Sequence, residues 1–229
     1  MGGLWCVVPA AGRGTRAGGD RPKQYQILGD RPLIMHTLDR LAMHPSVAGL
    51  VVVLGAGDTD WPGLDTLHDT PVLTTIGGAE RSDSVLAGLD ALPVDVAADA
   101  FVLVHDAARP CVRRGDIARL IEQAGALDGG LLGAPLRDTL KRADADGRSV
   151  ATEPREQRWR AFTPQMFRRA QLAAALADAR DKGIAVSDEA MAMELAGFAP
   201  LLVEGAEDNI KVTTPADFAL AEFLLERTS

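Results

Sequence analysis

The sequence predicts an α/β fold in which a mostly parallel sheet carries helices on both faces. Short apolar runs without polar alternation recur along the chain, as expected for strands that are buried on both sides. They alternate with segments whose apolar residues recur at helical spacing. The chain has 229 residues, of which 47% are hydrophobic, and can bury one substantial core. We therefore expect a single domain that spans residues 1–229.

The elements are expected to follow one another in alternating strand and helix order. Residues 4–9 form the first apolar run and should be a buried strand. Residues 32–43 have helical spacing, with Pro32 in the first turn, where helices tolerate proline. Another helix should follow Gly77 and Gly78. Further strands are predicted at residues 50–54, 72–76, 101–104 and 201–203.

Residues 137–159 interrupt this alternation and are expected to form a protruding β-arm. The segments 137–142 and 148–152 flank an Asp146-Gly147 turn signal, which is typical of a hairpin. A two-stranded ribbon of such low apolar content is marginally stable alone. It should therefore pack either against its own domain or against a neighbouring subunit in a dimer, and the composition leaves both open.

The loop after the first strand, residues 10–24, combines small residues with positive charge. Its small residues, which allow backbone N–H groups to close around an anion, include Ala10, Ala11, Gly12 and Gly14. Its cations are Arg13, Arg16, Arg21 and Lys23. A plain connecting turn is the alternative, but on such a turn these cations would only repel one another. The loop therefore predicts a polyphosphate site.

Two known phosphate-binding motifs fit this loop less well. A Walker loop needs Ser or Thr after its lysine, whereas Gln24 follows Lys23. Gly12, Gly14 and Ala17 satisfy the loose dinucleotide pattern, but the next helix is expected only near residue 32. The long basic loop therefore suits a triphosphate, and a non-catalytic dinucleotide-binding module remains the alternative.

A second loop, residues 77–84, is expected to meet the first at the carboxyl edge of the sheet, where ligands bind in folds of this class. The backbone of Gly78 and Ala79, with the Ser84 hydroxyl, could read the edge of a nucleobase. The same segment could instead simply cap the helix that follows it.

Acidic residues after two strands are candidate ligands. Asp106 follows a buried strand in the loop 105–110, where its carboxylate is placed for a ribose hydroxyl or Mg²⁺. Asp208 is a second acid, and Lys211 is either a surface lysine or a cation of the same cleft. The histidines lack metal-ligand spacing and are expected to be structural or exposed: His36, His44, His68 and His105.

Charge and cysteine content exclude several classes of protein. The net charge of −8 and the pI near 5.0 argue against a nucleic-acid or membrane-surface binder, because both need a basic excess. We expect no membrane span and no signal peptide in residues 1–20. Cys6 and Cys111 lack paired spacing and are expected to be reduced packing residues, which indicates a cytoplasmic protein.

Motifs along nearly the whole chain, in order, resemble those of one known family. They lie at residues 10–16, 22–25, 77–85, 104–110, 135–141, 163–165 and 208–213. Their sequences and spacing are similar to those of the 2-C-methyl-D-erythritol 4-phosphate cytidylyltransferases of the non-mevalonate isoprenoid pathway. A match of this extent is far more specific than any single loop.

The resemblance implies a reaction of CTP with 2-C-methyl-D-erythritol 4-phosphate that gives a cytidine diphospho alcohol and pyrophosphate, with Mg²⁺ as cofactor. It also implies a Rossmann-like nucleotidyltransferase fold and a homodimer that interlocks through the β-arm. A related cytidylyltransferase that activates ribitol 5-phosphate shares most of these motifs and remains an alternative.

The resemblance also implies roles for individual residues. The triphosphate would be held by Arg16 and Lys23, within the loop that contains Ala10, Ala11, Gly12 and Gly14. The substrate phosphate would be held by Arg155, reaching in from the partner's arm, and by Lys211. Cytosine would be recognised around Gly78, Ala79 and Ser84. The methylerythritol part would contact Asp106, Arg109, Thr139 and Thr163, and the candidate Mg²⁺ ligands are Asp106 and Asp208.

Overall fold

A mixed β-sheet is the central feature of the structure, a computed structural model that describes residues 3–12 and 21–228. Within these residues the strands are β1 (Leu4–Pro9), β2 (Ile27–Leu28), β3 (Arg31–Pro32), β4 (Val47–Leu54), β5 (Thr66–Leu67), β6 (Thr70–Ile76), β7 (Phe101–Val104), β8 (Gly130–Pro135), β9 (Leu140–Ala143), β10 (Ser149–Glu153), β11 (Trp159–Arg168) and β12 (Leu201–Glu204). The α-helices are α1 (Leu33–Ala42), α2 (Arg81–Asp90), α3 (Arg114–Ala124), α4 (Arg169–Asp181), α5 (Glu189–Leu195) and α6 (Pro215–Thr228). A short 3₁₀ helix covers Lys23–Tyr25.

Eight of the described strands form one sheet in the order β12-β8-β11-β7-β1-β4-β6-β5. β1 lies parallel to both β4 and β7, β4 lies parallel to β6, and β8 lies parallel to β12. β11 runs antiparallel to its two neighbours, β7 and β8. The mostly parallel sheet that the sequence predicted is therefore confirmed.

The sheet is buried on both faces, because alternate side chains of β1 point into two different cores. Cys6 and Val8 belong to one core, together with residues of α1 and α3. Val7 belongs to the other core, together with residues of α2, α4 and α5. All three side chains are fully buried. The predicted cover of helices on both faces is confirmed, and it explains why the strands show no polar alternation.

A third, smaller core attaches α6 next to the two segments that carry candidate lysines. Leu28 and Leu33, just after the 3₁₀ helix, pack in one cluster with Val212 and with Leu225 of α6. This packing fixes the segments of Lys23 and Lys211 relative to each other.

The predicted helices agree closely with the structure. α1 begins one residue after Pro32, which takes the N-cap position. α2 begins at Arg81 with a capping box between Glu80 and Asp83. In the part of the chain that the structure describes, no helix combines the length and apolar character that crossing a membrane requires.

Two central strands, β8 and β11, are absent from the sequence prediction. β11 contains Pro164, and a proline normally argues against a central strand because it cannot donate to the ladder. The structure accommodates it in a register shift between Ala161 and Gln165. β11 supplies the antiparallel pairings at the middle of the sheet, which local sequence patterns did not reveal.

The predicted hairpin is confirmed, with β9 antiparallel to β10 in a separate two-stranded sheet. Gly147 has φ +77° in its turn, a conformation that favours glycine. The arm ends earlier than the predicted residue 159, because Trp159 already begins β11 of the central sheet. Its apolar side chains remain exposed in the single chain, Val150 by 54% and Leu140 by 36%.

Candidate active site

A cavity of about 350 Å³ lies at the carboxyl ends of β1 and β7. Described residues of the loops 10–24 and 77–84 contribute to its walls, which confirms that these loops meet, and the loop 105–110 contributes as well. The predicted site residues that line it are Ala10, Ala11, Gly12, Lys23, Gly78, Ala79, Ser84, Asp106 and Lys211. Arg16 and Gly14, which were predicted for the same site, lie outside the described residues.

A larger cavity, of about 1080 Å³, lies on another side of the molecule, between α1, α6 and the β2–β3 hairpin. Its lining includes Arg40, His68 and Glu222 but none of the predicted site residues. The smaller cavity is the candidate active site, because the chemically relevant side chains converge there.

Lys23 is placed in the cavity by a firmly anchored turn. The Gln24 side-chain amide donates to the carbonyl of Ala10 at 2.6 Å, which ties the 3₁₀ helix to the end of β1. The Tyr25 hydroxyl donates to Asp58 at 2.7 Å, and burial together with this bond raises the pKa of Tyr25. Gln24 and Tyr25, the two residues that follow the lysine on this turn, are both buried. The Lys23 ammonium is therefore presented by a fixed piece of backbone.

The second loop approaches the first so closely that it requires small residues. A Cβ added to Gly77 would lie 2.5 Å from Ser84 Oγ and 2.9 Å from the Cβ of Ala11. The Ser84 hydroxyl donates to the Glu80 carbonyl at 3.1 Å, and the Glu80 N–H donates to Asp83. The capping interpretation is thus confirmed for Asp83, while Ser84 also lines the cavity.

Asp106 is the centre of the charge in the cavity. Arg81 Nε donates to its Oδ1 at 3.1 Å, and Lys211 Nζ lies 2.9 Å from its Oδ2. Arg109 Nε is 3.5 Å from Oδ2, an ion-pair contact rather than a hydrogen bond. Burial alone would raise the pKa of Asp106, but the three cations hold it well below its usual range. The carboxylate is therefore ionised at neutral pH.

Arg81 continues this cluster to a buried acid that the sequence analysis did not select. Arg81 Nη1 donates to Glu189 Oε1 at 2.5 Å, and Nη2 donates to Oε2 at 3.1 Å. The Glu189 side chain is only 1% exposed. It follows Asp188, the N-cap of α5, so its sequence context is that of an ordinary first-turn acid. The one sequence signal for a buried acid was Arg81 in the 77–85 motif, because a buried arginine needs an acidic partner.

Arg109 and Thr163 lie behind Asp106 instead of on the cavity wall. The Thr163 hydroxyl accepts the N–H of Asp106 at 3.0 Å and is 4% exposed. Arg109 donates to the carbonyl of Asn209 at 2.7 Å, and its guanidinium lies 5.2 Å from the ring centroid of Phe162. In this structure both residues support the Asp106 loop, and the direct contact with substrate that the resemblance implies for them stays a prediction.

His105 completes that support as a buried neutral imidazole. Its Nδ1 is 3.0 Å from the Thr163 hydroxyl, and its Nε2 is 3.1 Å from the carbonyl of Arg109. Since the hydroxyl already accepts from Asp106, these contacts are satisfied when the imidazole proton is on Nε2. Burial lowers the pKa of His105 to about 4. The structural role expected for this histidine is confirmed.

Acidification is expected to destabilise the protein through His105. The pKa is about 4 in the folded protein and 6.5 for an ordinary histidine, so the unfolded chain binds more protons between these values. This contribution is fully present above pH 6.5 and is lost as the pH falls towards 4. The loss should be about 2 kcal/mol between about pH 7 and pH 5.

Urea unfolding of the natural protein and of His105→Gln, at several pH values in this window, measures the effect. The variant should lose less stability on acidification. His36 and His44, whose pKa values are also lowered by burial, contribute to both proteins and cancel in the comparison. Equal pH dependence of the two proteins would contradict this assignment.

The remaining predicted residues do not line the cavity of this chain. Thr139 is exposed at the base of the arm. Arg155 is also exposed, and its guanidinium donates to the carbonyl of Arg137.

The two expected Mg²⁺ ligands are not brought together. Asp106 lines the cavity, whereas Asp208 is outside its lining and pairs with Arg113. Among residues 3–12 and 21–228, no cluster of three or more His, Cys, Asp or Glu side chains could hold a metal ion. The residues therefore fit Mg²⁺ only as an ion that takes most of its ligands from phosphate oxygens and water, as Mg²⁺ often does.

Comparison with known proteins gives consistent matches over nearly the whole chain. The family model described as 2-C-methyl-D-erythritol 4-phosphate cytidylyltransferase matches residues 4–227. The protein of that name from Stenotrophomonas maltophilia strain K279a is 60% identical over 226 residues, covering 98% of this chain and 97% of the relative. The protein of the same name from Xanthomonas euvesicatoria pv. vesicatoria strain 85-10 is 59% identical over 225 residues, covering 98% and 85%.

Solved structures agree with these matches. A crystal structure of 4-diphosphocytidyl-2C-methyl-D-erythritol synthase superposes with a TM-score of 0.84 at 36% identity, covering 97% of this chain and 98% of the other. The 2-C-methyl-D-erythritol 4-phosphate cytidylyltransferase of Francisella tularensis superposes with a TM-score of 0.83 at 32% identity, covering 97% and 99%. The described fold is therefore the fold of these proteins.

Proposed function

Because this chain belongs to the 2-C-methyl-D-erythritol 4-phosphate cytidylyltransferase family, we infer that its cavity is the active site of that reaction. The enzyme transfers the cytidylyl group of CTP to 2-C-methyl-D-erythritol 4-phosphate, and the products are 4-diphosphocytidyl-2-C-methyl-D-erythritol and pyrophosphate. The observation that carries the assignment of the site is that Lys23 and Lys211, from distant parts of the chain, line one cavity.

The chemistry of the reaction explains this use of positive charge. The attacking phosphate oxygen of the substrate is ionised near neutral pH, so the reaction needs no general base. The barrier comes from repulsion between two polyanions and from charge that gathers at the α-phosphorus and on the departing pyrophosphate. Catalysis of this kind relies on alignment and on preorganised cations.

We propose that the two lysines divide these tasks. Lys23, on the turn that follows the phosphate loop, stabilises the triphosphate and the crowded α-phosphorus, together with Arg16. Lys211, which lies 2.9 Å from Asp106, holds the incoming substrate phosphate. Asp106 then accepts a hydrogen bond from a substrate hydroxyl. The proposal is supported by the shared cavity and by the ionised state of Asp106.

We propose that the loop 77–84 recognises cytosine. Gly78 and Ala79 line the cavity, and the absence of a side chain at Gly77 lets their segment pack against Ala11 and Ser84 at its edge. Ser84 lines the cavity beside them and retains the acceptor capacity of its oxygen, since its hydroxyl hydrogen is donated to Glu80.

We propose Mg²⁺ as the cofactor, bound mainly by phosphate oxygens of CTP, with Asp106 as its protein ligand. When bound, it neutralises charge on the triphosphate and on the leaving pyrophosphate. The presence of a carboxylate in the wall of a cationic cavity supports this. Chelation of divalent ions with EDTA should abolish pyrophosphate release, and added Mg²⁺ should restore it; activity that survives chelation would contradict the proposal.

We propose that the arm, residues 140–153, forms the interface of a homodimer. Its apolar side chains Leu140 and Val150 are exposed in the single chain, and a lone ribbon is marginally stable in water. In such a dimer Thr139 and Arg155, which flank the arm, would be brought to the partner's site.

Charge placed on the arm is therefore expected to weaken the dimer. Val150→Asp should shift the mass measured by analytical ultracentrifugation from dimer towards monomer, because it places a carboxylate in an apolar contact. Val94→Asp is the matched control, since Val94 is fully exposed and lies outside the arm. A natural protein that is monomeric at micromolar concentration would contradict the proposed interface.

We also propose that the enzyme works in the cytoplasm. Both cysteines, Cys6 and Cys111, are buried free thiols, as is common in a reducing compartment. Recovery of the protein from the periplasmic or membrane fraction of lysed cells would contradict this.

One assay tests the activity against both alternatives. The protein is incubated with CTP, Mg²⁺ and either 2-C-methyl-D-erythritol 4-phosphate or ribitol 5-phosphate, and pyrophosphate release is followed. Release with the methylerythritol phosphate alone is expected. Release with ribitol phosphate alone would favour the other cytidylyltransferase, and no release together with tight NAD binding would favour a dinucleotide-binding module.

A further inference from the structure

Glu189 is a fully buried carboxylate that the reaction chemistry does not use directly. It is not part of the cavity lining, and its two oxygens accept hydrogen bonds from Arg81 at 2.5 and 3.1 Å. We propose that Glu189 is a positioning residue, which acts through Arg81 to keep one oxygen of Asp106 available to Lys211. It would thereby set the geometry of the substrate-phosphate site.

The two oxygens of Asp106 have different partners. Arg81 contacts Oδ1, with Nε at 3.1 Å and Nη2 at 3.0 Å. Lys211 contacts Oδ2 at 2.9 Å. The bidentate pair with Glu189 fixes the plane of the Arg81 guanidinium, since a carboxylate and a guanidinium fit each other in one orientation. This orientation directs Arg81 to Oδ1 of Asp106 and leaves Oδ2 of Asp106 for Lys211.

Glu189 itself is held by the fold. It begins α5, whose N-cap Asp188 accepts the N–H of Met191 at 3.0 Å. Gln165 of β11 accepts the N–H of Ala190 at 2.7 Å and donates to Asp188 at 2.9 Å. The carboxylate is thus anchored to the central sheet on one side and to the first residue of α2, Arg81, on the other.

The charges of the cluster explain why this anchor matters. Asp106 and Glu189 carry two negative charges against the three positive charges of Arg81, Arg109 and Lys211. Without the charge of Glu189, Asp106 would be the remaining anion for all three cations. Arg81 would then be free to pair with both Asp106 oxygens and to compete with Lys211 for Oδ2.

The expected result is a selective loss of affinity for the phosphate substrate. This expectation rests on the proposed role of Lys211. In Glu189→Gln, the KM for 2-C-methyl-D-erythritol 4-phosphate should rise about tenfold, while the KM for CTP should change by less than about threefold. A residue with a merely structural role would lower kcat or stability without this difference between the two substrates.

Two further variants keep the test informative if Glu189→Gln folds poorly. Glu189→Asp retains the charge and should raise the same KM by a smaller factor. Glu194→Gln is the matched control, because Glu194 is an exposed acid on the same helix, and it should leave both KM values unchanged. Thermal unfolding of each variant shows whether it is folded under assay conditions.

A double-mutant cycle separates this inference from the proposed function. If Glu189 acts through Asp106 on Lys211, Glu189→Asp should add no further rise in the KM of the phosphate substrate once Lys211→Ala is present. Additive effects, or equal changes in the KM of both substrates, would overturn the role of Glu189. An unchanged KM in Lys211→Ala alone would instead overturn the proposed role of the lysine.

Discussion

Replacing Lys23 by alanine is expected to lower kcat about 100-fold or more, equivalent to roughly 3 kcal/mol in the barrier. The side chain lines the cavity, whereas its neighbours Gln24 and Tyr25 hold the turn. The substitution therefore removes the ammonium group and leaves the backbone in place. The lost charge is one that the transition state needs more than the bound substrates do. Steady-state assays of pyrophosphate release measure the effect.

A second lysine provides the control for this experiment. Lys182, at the end of α4, is exposed and pairs with Asp178 at 2.7 Å, and Lys182→Ala should keep kcat within about twofold. Arg16→Ala is expected to lose activity as Lys23→Ala does, although Arg16 lies outside the described residues. Near-normal turnover of Lys23→Ala would remove this lysine from the mechanism.

Replacing Asp106 by asparagine is expected to lower the free energy of unfolding by about 3–5 kcal/mol. The carboxylate is 6% exposed and contacts Arg81, Arg109 and Lys211. Asparagine has a similar volume, but it carries no charge and would present amide hydrogens to these cations. Arg109, which is 9% exposed, would be left as a buried cation without a counter-charge. Urea unfolding at neutral pH measures the loss.

The matched control is Asp90→Asn, at the exposed end of α2. It should change the free energy of unfolding by less than about 0.5 kcal/mol, since the change is far from buried charges. A loss of under about 1 kcal/mol for Asp106→Asn would show that Arg109 finds sufficient compensation elsewhere, in Phe162 and the Asn209 carbonyl.

The parts of the fold that the sequence predicted correctly have local causes. β1 is apolar without alternation because both of its faces are buried, and α1 has helical spacing because one of its faces packs on the sheet. The turn at Gly147 needs a positive φ, which favours glycine, and so the Asp146-Gly147 pair predicts it. The positions of Lys23 and Gly78 in one cavity follow from the rule that loops converge at the carboxyl edge of a parallel sheet.

The parts that were missed depend on contacts between distant residues. β11 pairs with β7 and β8 despite Pro164, and only the register shift of the folded sheet makes room for that proline. Glu189 is 108 residues from Arg81 in sequence. Its position in the first turn of α5 is typical of an exposed acid, so the sequence does not indicate that it is buried. The sequence also did not show that Thr163 and Arg109 lie behind Asp106, because packing decides whether a side chain reaches the cavity wall.

β11 also has a consequence for how this chain can vary in length. Trp159, at its start, pairs with Pro135 beside the arm, and Thr163, four positions on, holds the backbone of Asp106. Successive residues of a strand face opposite sides, so inserting or deleting one residue between these points would turn the Thr163 hydroxyl away from Asp106. Substitutions within this stretch can be accommodated by local repacking. The number of residues between Trp159 and Thr163, in contrast, must stay constant for Thr163 to reach Asp106.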